Sequence, residues 1–138
     1  MRAFVAKNHL PAILQKIDKI PHINYGGCGV VAYHLADYLT KAGFKPKVIY
    51  MSHCHDYLGV HSLRNNEVDS CAHAYVQVGQ YYYDSEGRWS ISDVREEYNS
   101  YIFTELSLEQ AKRCAYTADT WNDTFDRRRI RTIKRILS

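Results

Sequence analysis

Residues 71–87 read CAHAYVQVGQYYYDSEG, and the fold turns on how they pair. Gly79-Gln80 separates two runs rich in aromatic and β-branched residues. Gly at the first central position suits a two-residue type II′ hairpin. With that turn, Val78 opposes Tyr81, Gln77 opposes Tyr82 and Val76 opposes Tyr83. Tyr75 then opposes Asp84, and His73 opposes Glu86. Opposed residues share a face, and each strand alternates between faces. One face therefore carries His73, Tyr75 and Gln77 with Tyr82, Asp84 and Glu86, a polar set. The other carries Ala72, Ala74, Val76 and Val78 with Tyr81, Tyr83 and Ser85. His73 and Asp84 are diagonal neighbours, roughly 7–8 Å apart at the backbone and within reach of a His–carboxylate hydrogen bond. Glu86 competes from the directly opposed position. A one-residue slip would send Asp84 to the wrong face, so the pairing rests on the turn.

Working outward, residues 28–42 (CGVVAYHLADYLTKA) carry Val31, Leu35, Leu39 and Ala42 at helical spacing, and Gly43 supplies a stop. Pro11 is placed to start a short helix through Ile17. Residues 47–51 read as a strand and 52–71 as a polar, His-rich loop. Residues 90–98 suggest a short helix. Ser107 and Gln110 form an S-x-x-Q capping box that opens a helix from about Leu108. A basic C-terminal helix is expected over about 120–137. Helix first and strands after give an α+β order rather than βαβ alternation.

The chain has 138 residues, which predicts a single domain over 1–138. Its charged fraction of 24% and hydrophobic fraction of 46% argue against disorder as the main state. Four Cys are too few for a disulfide-dense framework, and the expectation is thiols in a reducing compartment. No apolar run approaches the roughly 18 residues of a membrane span. The N-terminus lacks the order of a signal peptide, so a cytoplasmic protein, or one delivered into a host cytoplasm, is expected. Residues 126–135 hold six of the 18 basic residues against one of the 15 acids. The other 12 basic and 14 acidic residues nearly cancel, so the net charge of +3 belongs to the tail.

Cys28 lies in Asn24-Tyr25-Gly26-Gly27-Cys28-Gly29-Val30. The glycines leave the thiol unshielded, and the start of a helix favours thiolate and offers free N–H groups to an oxyanion. A cysteine on this inward face also serves as a small buried hydrophobe. A thiol, an imidazole to take its proton and a carboxylate to orient the imidazole together make a nucleophilic triad. Cys28, His73 and Asp84 supply the three types.

The order Cys, His, Asp, with Cys opening a helix and His-x-x-x-V-G-x-x-Y-x-D on a hairpin, resembles the papain-like and transglutaminase-like thiol enzymes. HAYVQVGQYYYDSEG is similar to the pattern in bacterial papain-fold toxins, glutamine deamidases and small transglutaminase-like domains. The resemblance covers about residues 24–87. It implies a papain-like or transglutaminase-like α+β core. In that core Cys28 is the nucleophile, His73 the base and acid, and Asp84 the orienting carboxylate. Such enzymes often place an Asn or Gln side chain upstream for the oxyanion; Asn24 is the nearest here and Gln15 a more distant one. The implied activity is acyl transfer on a protein or peptide amide (proteolysis, deamidation or transamidation) without a cofactor or metal.

Two other readings stand beside it. His53, Cys54, His55, Asp56, His61, Cys71 and His73 form a ligand-rich segment that would suit a zinc-stabilised binding module, although their spacing matches no strong zinc pattern. Residues 126–135 would suit a non-catalytic interaction domain with an acidic partner. Nucleic acid is disfavoured because no nucleic-acid motif accompanies the charge. Trp121, Phe125, Ile130, Ile133 and Leu137 form a stripe that would dock this helix on the domain. His9, His22 and His34 read as ordinary.

Overall fold

A computed structural model describes residues 2–21, 23, 28–53, 71–117 and 124–138. Helices α1 (Arg2–Asp18) and α2 (Cys28–Lys41) come first, then strands β1 (Lys47–His53), β2 (Cys71–Val78), β3 (Tyr81–Asp84) and β4 (Gly87–Ser90). Helix α3 (Ile91–Glu97), strand β5 (Tyr101–Leu106) and helices α4 (Leu108–Thr117) and α5 (Thr124–Ile136) complete the chain. The strands form one antiparallel sheet in the order β4-β3-β2-β1-β5. The fold is α+β, with five helices and five strands among the described residues.

The inner strands are buried on both faces, which is why Val48, Ile49, Tyr50 and Met51 form a continuous apolar run rather than an alternating one. Val48, Tyr50, Ala74, Val76, Tyr83 and Leu106 face the larger core, shared with α1, α2, α4 and α5. Ile49, Met51, Tyr75 and Tyr82 face a smaller core closed by Val94 of α3, with Tyr101 and Phe103 packed against it. Helix α2 lies across β1 and β2. Its stripe of Val31, Leu35 and Leu39 is buried, and Gly43, at φ +96°, ends it in the left-handed region. The hairpin turn is where the sequence puts it, with Gly79 at φ +60° and Val76–Tyr83, Gln77–Tyr82 and Val78–Tyr81 in register. The capping box forms as well: Ser107 N–H donates to Gln110 Oε1 (2.9 Å), and Gln110 N–H to Ser107 Oγ (3.1 Å).

Several expectations are corrected. Helix α1 runs through Pro11 rather than starting there. An interior Pro costs about 3 kcal/mol, and here Pro11 sits on the exposed side while Leu10, Leu14 and Ile17 are buried in the core. Strands β1 and β2 take in Ser52, His53 and Cys71, which the sequence reading left to the loop. The polar face is not polar: Tyr75 and Tyr82 lie stacked in the smaller core. Strands β4 and β5 are additions to the expected set. The ladder between β2 and β3 ends at Val76–Tyr83, so the expected pairs Tyr75–Asp84 and His73–Glu86 are not part of it. The C-terminal helix docks as expected through Ile130, Ile133 and Leu137. Trp121 lies outside the described residues, as does the Phe125 side chain.

Close packing between α2 and the sheet occurs one residue past Cys28. A Cβ on Gly29 would lie 2.5 Å from the hydroxyl oxygen of the fully buried Tyr50. Gly29→Ala is therefore expected to destabilise the fold by roughly 1–3 kcal/mol through overpacking, despite the better helix propensity of Ala. Adding Tyr50→Phe removes the clashing oxygen and should recover part of the loss. A double-mutant cycle in urea denaturation would show this as a favourable coupling, and additive losses would count against the contact.

Candidate active site

Cys28 is the first residue of α2, and the first N–H groups of a helix are not used by its own i→i−4 ladder. The side chain is half-buried and packs against the larger core. His73 is the third residue of β2. Beside it the β1–β2 register shifts: Met51 pairs with His73 but Ser52 with Cys71, so Ala72 is the extra residue of a bulge. A bulge bends its strand and re-aims neighbouring side chains. It sits at the residue whose ring must reach from the sheet to the start of α2. Past Tyr83 the β2–β3 ladder stops, and Cys28, Val31, Ala32, His73, Ala74, Tyr83, Asp84 and Ser85 line a small cleft there.

Asp84 ends β3 and is buried. Its Oδ2 accepts the Nε2–H of His73 at 2.8 Å. Its Oδ1 accepts the backbone N–H groups of Glu86 (2.9 Å) and Gly87 (3.2 Å) and the indole Nε1–H of Trp89 (2.9 Å). The two backbone bonds make an Asx-type turn that joins β3 to β4. Four donors thus hold one carboxylate in place.

His73 also hydrogen-bonds Cys28. With Nε2 taken by Asp84, Nδ1 is the nitrogen left for the sulfur. Tyr75 meets the imidazole edge to face, with ring centroids 4.6 Å apart, and Tyr82 stacks on Tyr75 at 5.0 Å. Arg95 of α3 donates to the Tyr82 hydroxyl (3.1 Å) and lies over Phe103 of β5. The smaller core is therefore the backing of the imidazole. Burial works against a charge on His73, but the hydrogen bonds to Asp84 and Cys28 outweigh it and push the pKa up to about 9. At neutral pH the ring is protonated beside the thiol.

The other sequence-derived candidates fall differently. Asn24 lies outside the described residues, as do Cys54, His55, Asp56 and His61. The side chains of His53 and Cys71 are likewise outside them. Among the described residues, no group of three His, Cys, Asp or Glu side chains could hold a metal. Glu86 contributes its backbone N–H to Asp84, and it is Asp84 that bonds His73. Gln15 lines a neighbouring cavity on α1. His34 is buried against Tyr33, and burial, aided by Lys134, lowers its pKa to about 4. Cys114 is fully buried, and burial pushes its thiol pKa up. Trp89 was not singled out by sequence; the signal that could have found it is its place opposite Tyr82 on a strand directly after the Asp84 turn.

Comparison with protein-family models, with curated proteins and with solved structures finds no match. Among the described residues, no helix is long and apolar enough to cross a membrane.

The raised pKa of His73 links stability to pH. The folded value, about 9, lies above the 6.5 of an unperturbed histidine. The contribution is therefore full below pH 6.5 and is lost as pH rises through about 9. The difference corresponds to roughly 3 kcal/mol. Urea titrations from pH 6 to 10 should show this decline in the wild type and a flatter profile in Asp84→Asn. Trp89→Phe keeps an aromatic side chain and removes one donor from Asp84, so roughly 1–2 kcal/mol of stability should go. An unchanged stability in that variant would mean the indole bond contributes nothing.

Proposed function

We propose that this chain is a thiol acyl-transfer enzyme that acts on a protein or peptide amide. In this reading Cys28 is the nucleophile, His73 the acid and base, and Asp84 the orienting carboxylate. The observation that carries the reading is the bridging imidazole. One ring nitrogen bonds a buried, fourfold-held carboxylate, and the ring also hydrogen-bonds a half-buried thiol at the head of a helix. A half-buried imidazole with a raised pKa beside a cysteine suits a thiolate–imidazolium resting pair. A papain-like or transglutaminase-like core, suggested by the sequence pattern, remains part of this proposal.

The chemistry follows from the charges. The Cys28 thiolate adds to the amide carbonyl, and the oxygen gains negative charge near the backbone N–H groups that open α2. Imidazolium His73 gives its proton to the departing nitrogen as the C–N bond breaks and a thioester remains. Neutral His73 then takes a proton from water or an amine that attacks the thioester, and the thiolate and imidazolium are restored. Asp84 keeps the ring in the orientation that serves both transfers, in the manner of the third member of a triad. No step calls for a cofactor.

Alkylation by iodoacetamide, with the site read by mass spectrometry, tests the resting pair. A free thiol of pKa near 8.5 slows by roughly a hundredfold between pH 8 and pH 6. Cys28 is expected to slow by less than about tenfold over the same range, because its thiolate is held by His73. His73→Asn should restore the steep free-thiol profile. A wild-type Cys28 that follows that steep profile, or stays inert while folded, would overturn the proposal.

A further inference from the structure

The cations of α5 are gathered on one side of the helix. Arg127, Arg131 and Lys134 recur at intervals of four and three residues, and Arg128, Arg131 and Arg135 at three and four. All five are exposed, while Ile130, Ile133 and Leu137 are buried. Among the described residues none of the five has an ion-pair partner, and no described side chain of α5 is acidic. From Arg127 to Arg135 the row runs about 12 Å along the helix axis.

Lys134 also lines a cavity of about 480 Å³. Lys41 of α2 and Lys112 of α4 line it from two other helices. Asp37 is the one acidic side chain of the described lining, and Lys41 pairs with it at 2.9 Å. Three lysines against one carboxylate leave an excess of positive charge. His34 in the wall feels it: burial first, then Lys134, Lys41 and Lys112, hold its pKa down against the pull of Asp37. Tyr33 and Tyr38, half-buried on α2, make the wall aromatic as well as basic.

Charge alone would suit any polyanion, and the cavity narrows the choice. A carboxylate side chain needs neither this volume nor an aromatic wall. An unpaired nucleobase uses both, since the volume is that of a small-ligand pocket and every base has a π-face to set against a tyrosine. Four of the five exposed cations of α5 are Arg, whose planar fork takes phosphate oxygens two at a time. In the sequence the basic run stands without a nucleic-acid motif because its aromatic partners lie far away in the chain, on α2.

We propose that this chain binds single-stranded nucleic acid, with backbone phosphates along the Arg127–Arg135 row and a base in the cavity against Tyr33 and Tyr38. Cys28, His73 and Asp84 do not line that cavity, and the proposal does not rest on the acyl-transfer reading.

Fluorescence anisotropy of labelled oligothymidylate and oligouridylate with the full chain tests it. Binding of either strand in about 50 mM salt is expected, with log K falling against log salt at a slope of roughly −2 to −3.5, as for three to five phosphates. Arg131→Glu with Arg135→Glu should weaken binding at least about tenfold and flatten the slope by roughly 1.4. Lys16→Glu with Lys19→Glu changes the net charge equally but touches neither the row nor the cavity, and should cost less than about threefold. Tyr38→Leu keeps apolar packing and removes the ring; it should cost about fivefold or more with the slope unchanged. No binding at low salt, or equal losses from the two charge pairs, overturns the proposal. A duplex that competes as well as the single strand overturns the placing of a base in the cavity. Oligoglutamate that binds as tightly as oligothymidylate, unmoved by Tyr38→Leu, overturns the assignment in favour of an acidic protein segment. The exposed charge pairs and the duplex comparison decide the matter even if Tyr38→Leu does not fold.

Discussion

The Asp84 carboxylate joins the parts of this site. Through Oδ1 it closes the β3–β4 turn and anchors Trp89; through Oδ2 it holds His73. Turn geometry and imidazole orientation are therefore set by one group. A buried carboxylate is costly unless its oxygens are satisfied, and this one takes four donors. The ring it holds is half-buried, yet its pKa is raised, because the bonds to Asp84 and Cys28 more than compensate for desolvation. Deleting one member leaves its partner buried with an unmet polar group, so the cost exceeds the worth of the bond.

Much of this was legible in the chain. Gly79 fixes the turn, and the turn fixes the register of Val76–Tyr83, Gln77–Tyr82 and Val78–Tyr81; beyond that ladder the pairing expected for His73 and Asp84 does not form, although the two side chains do meet. The stripe of α2 and the Ser107–Gln110 box are local signals, and local signals survive packing. What escaped is non-local. The extra residue at Ala72 shows only when β2 is laid against β1, because a bulge is a property of two strands. Pro11 reads as a helix start because the sequence does not show that Leu10, Leu14 and Ile17 will be buried together. Tyr75 and Tyr82 looked like part of a polar face because the partner that covers them, α3, lies just beyond the hairpin.

The burial of both sheet faces explains how a short chain holds Cys28, His73 and Asp84 together. The larger core fixes α2, and with it Cys28. The smaller core fixes Tyr75 and Tyr82, and with them the plane of His73. Cys28 and His73 are therefore carried by different layers. They meet where the β2–β3 ladder ends and the strands no longer fill the space between them. A ladder continued past Tyr83 would have placed Asp84 against Tyr75, as the idealised hairpin suggests, and its side chain would have been one more cross-strand pair. Releasing it from that ladder lets the same residue cap its own turn and face the imidazole.

Gly29 shows what the meeting of layers requires. Cys28 comes within reach of His73 only if the first turn of α2 lies close on the sheet, and at the next residue the approach is so tight that the Tyr50 hydroxyl occupies the place of a Cβ. Gly in a helix interior costs about 1 kcal/mol relative to Ala. Here that cost falls in the first turn, where it brings the thiol onto the sheet. The glycine after the cysteine, read from sequence as backbone freedom around a nucleophile, acts through its missing side chain. The constraint comes from a tyrosine 21 positions further along, on the inner strand β1 that α2 packs against.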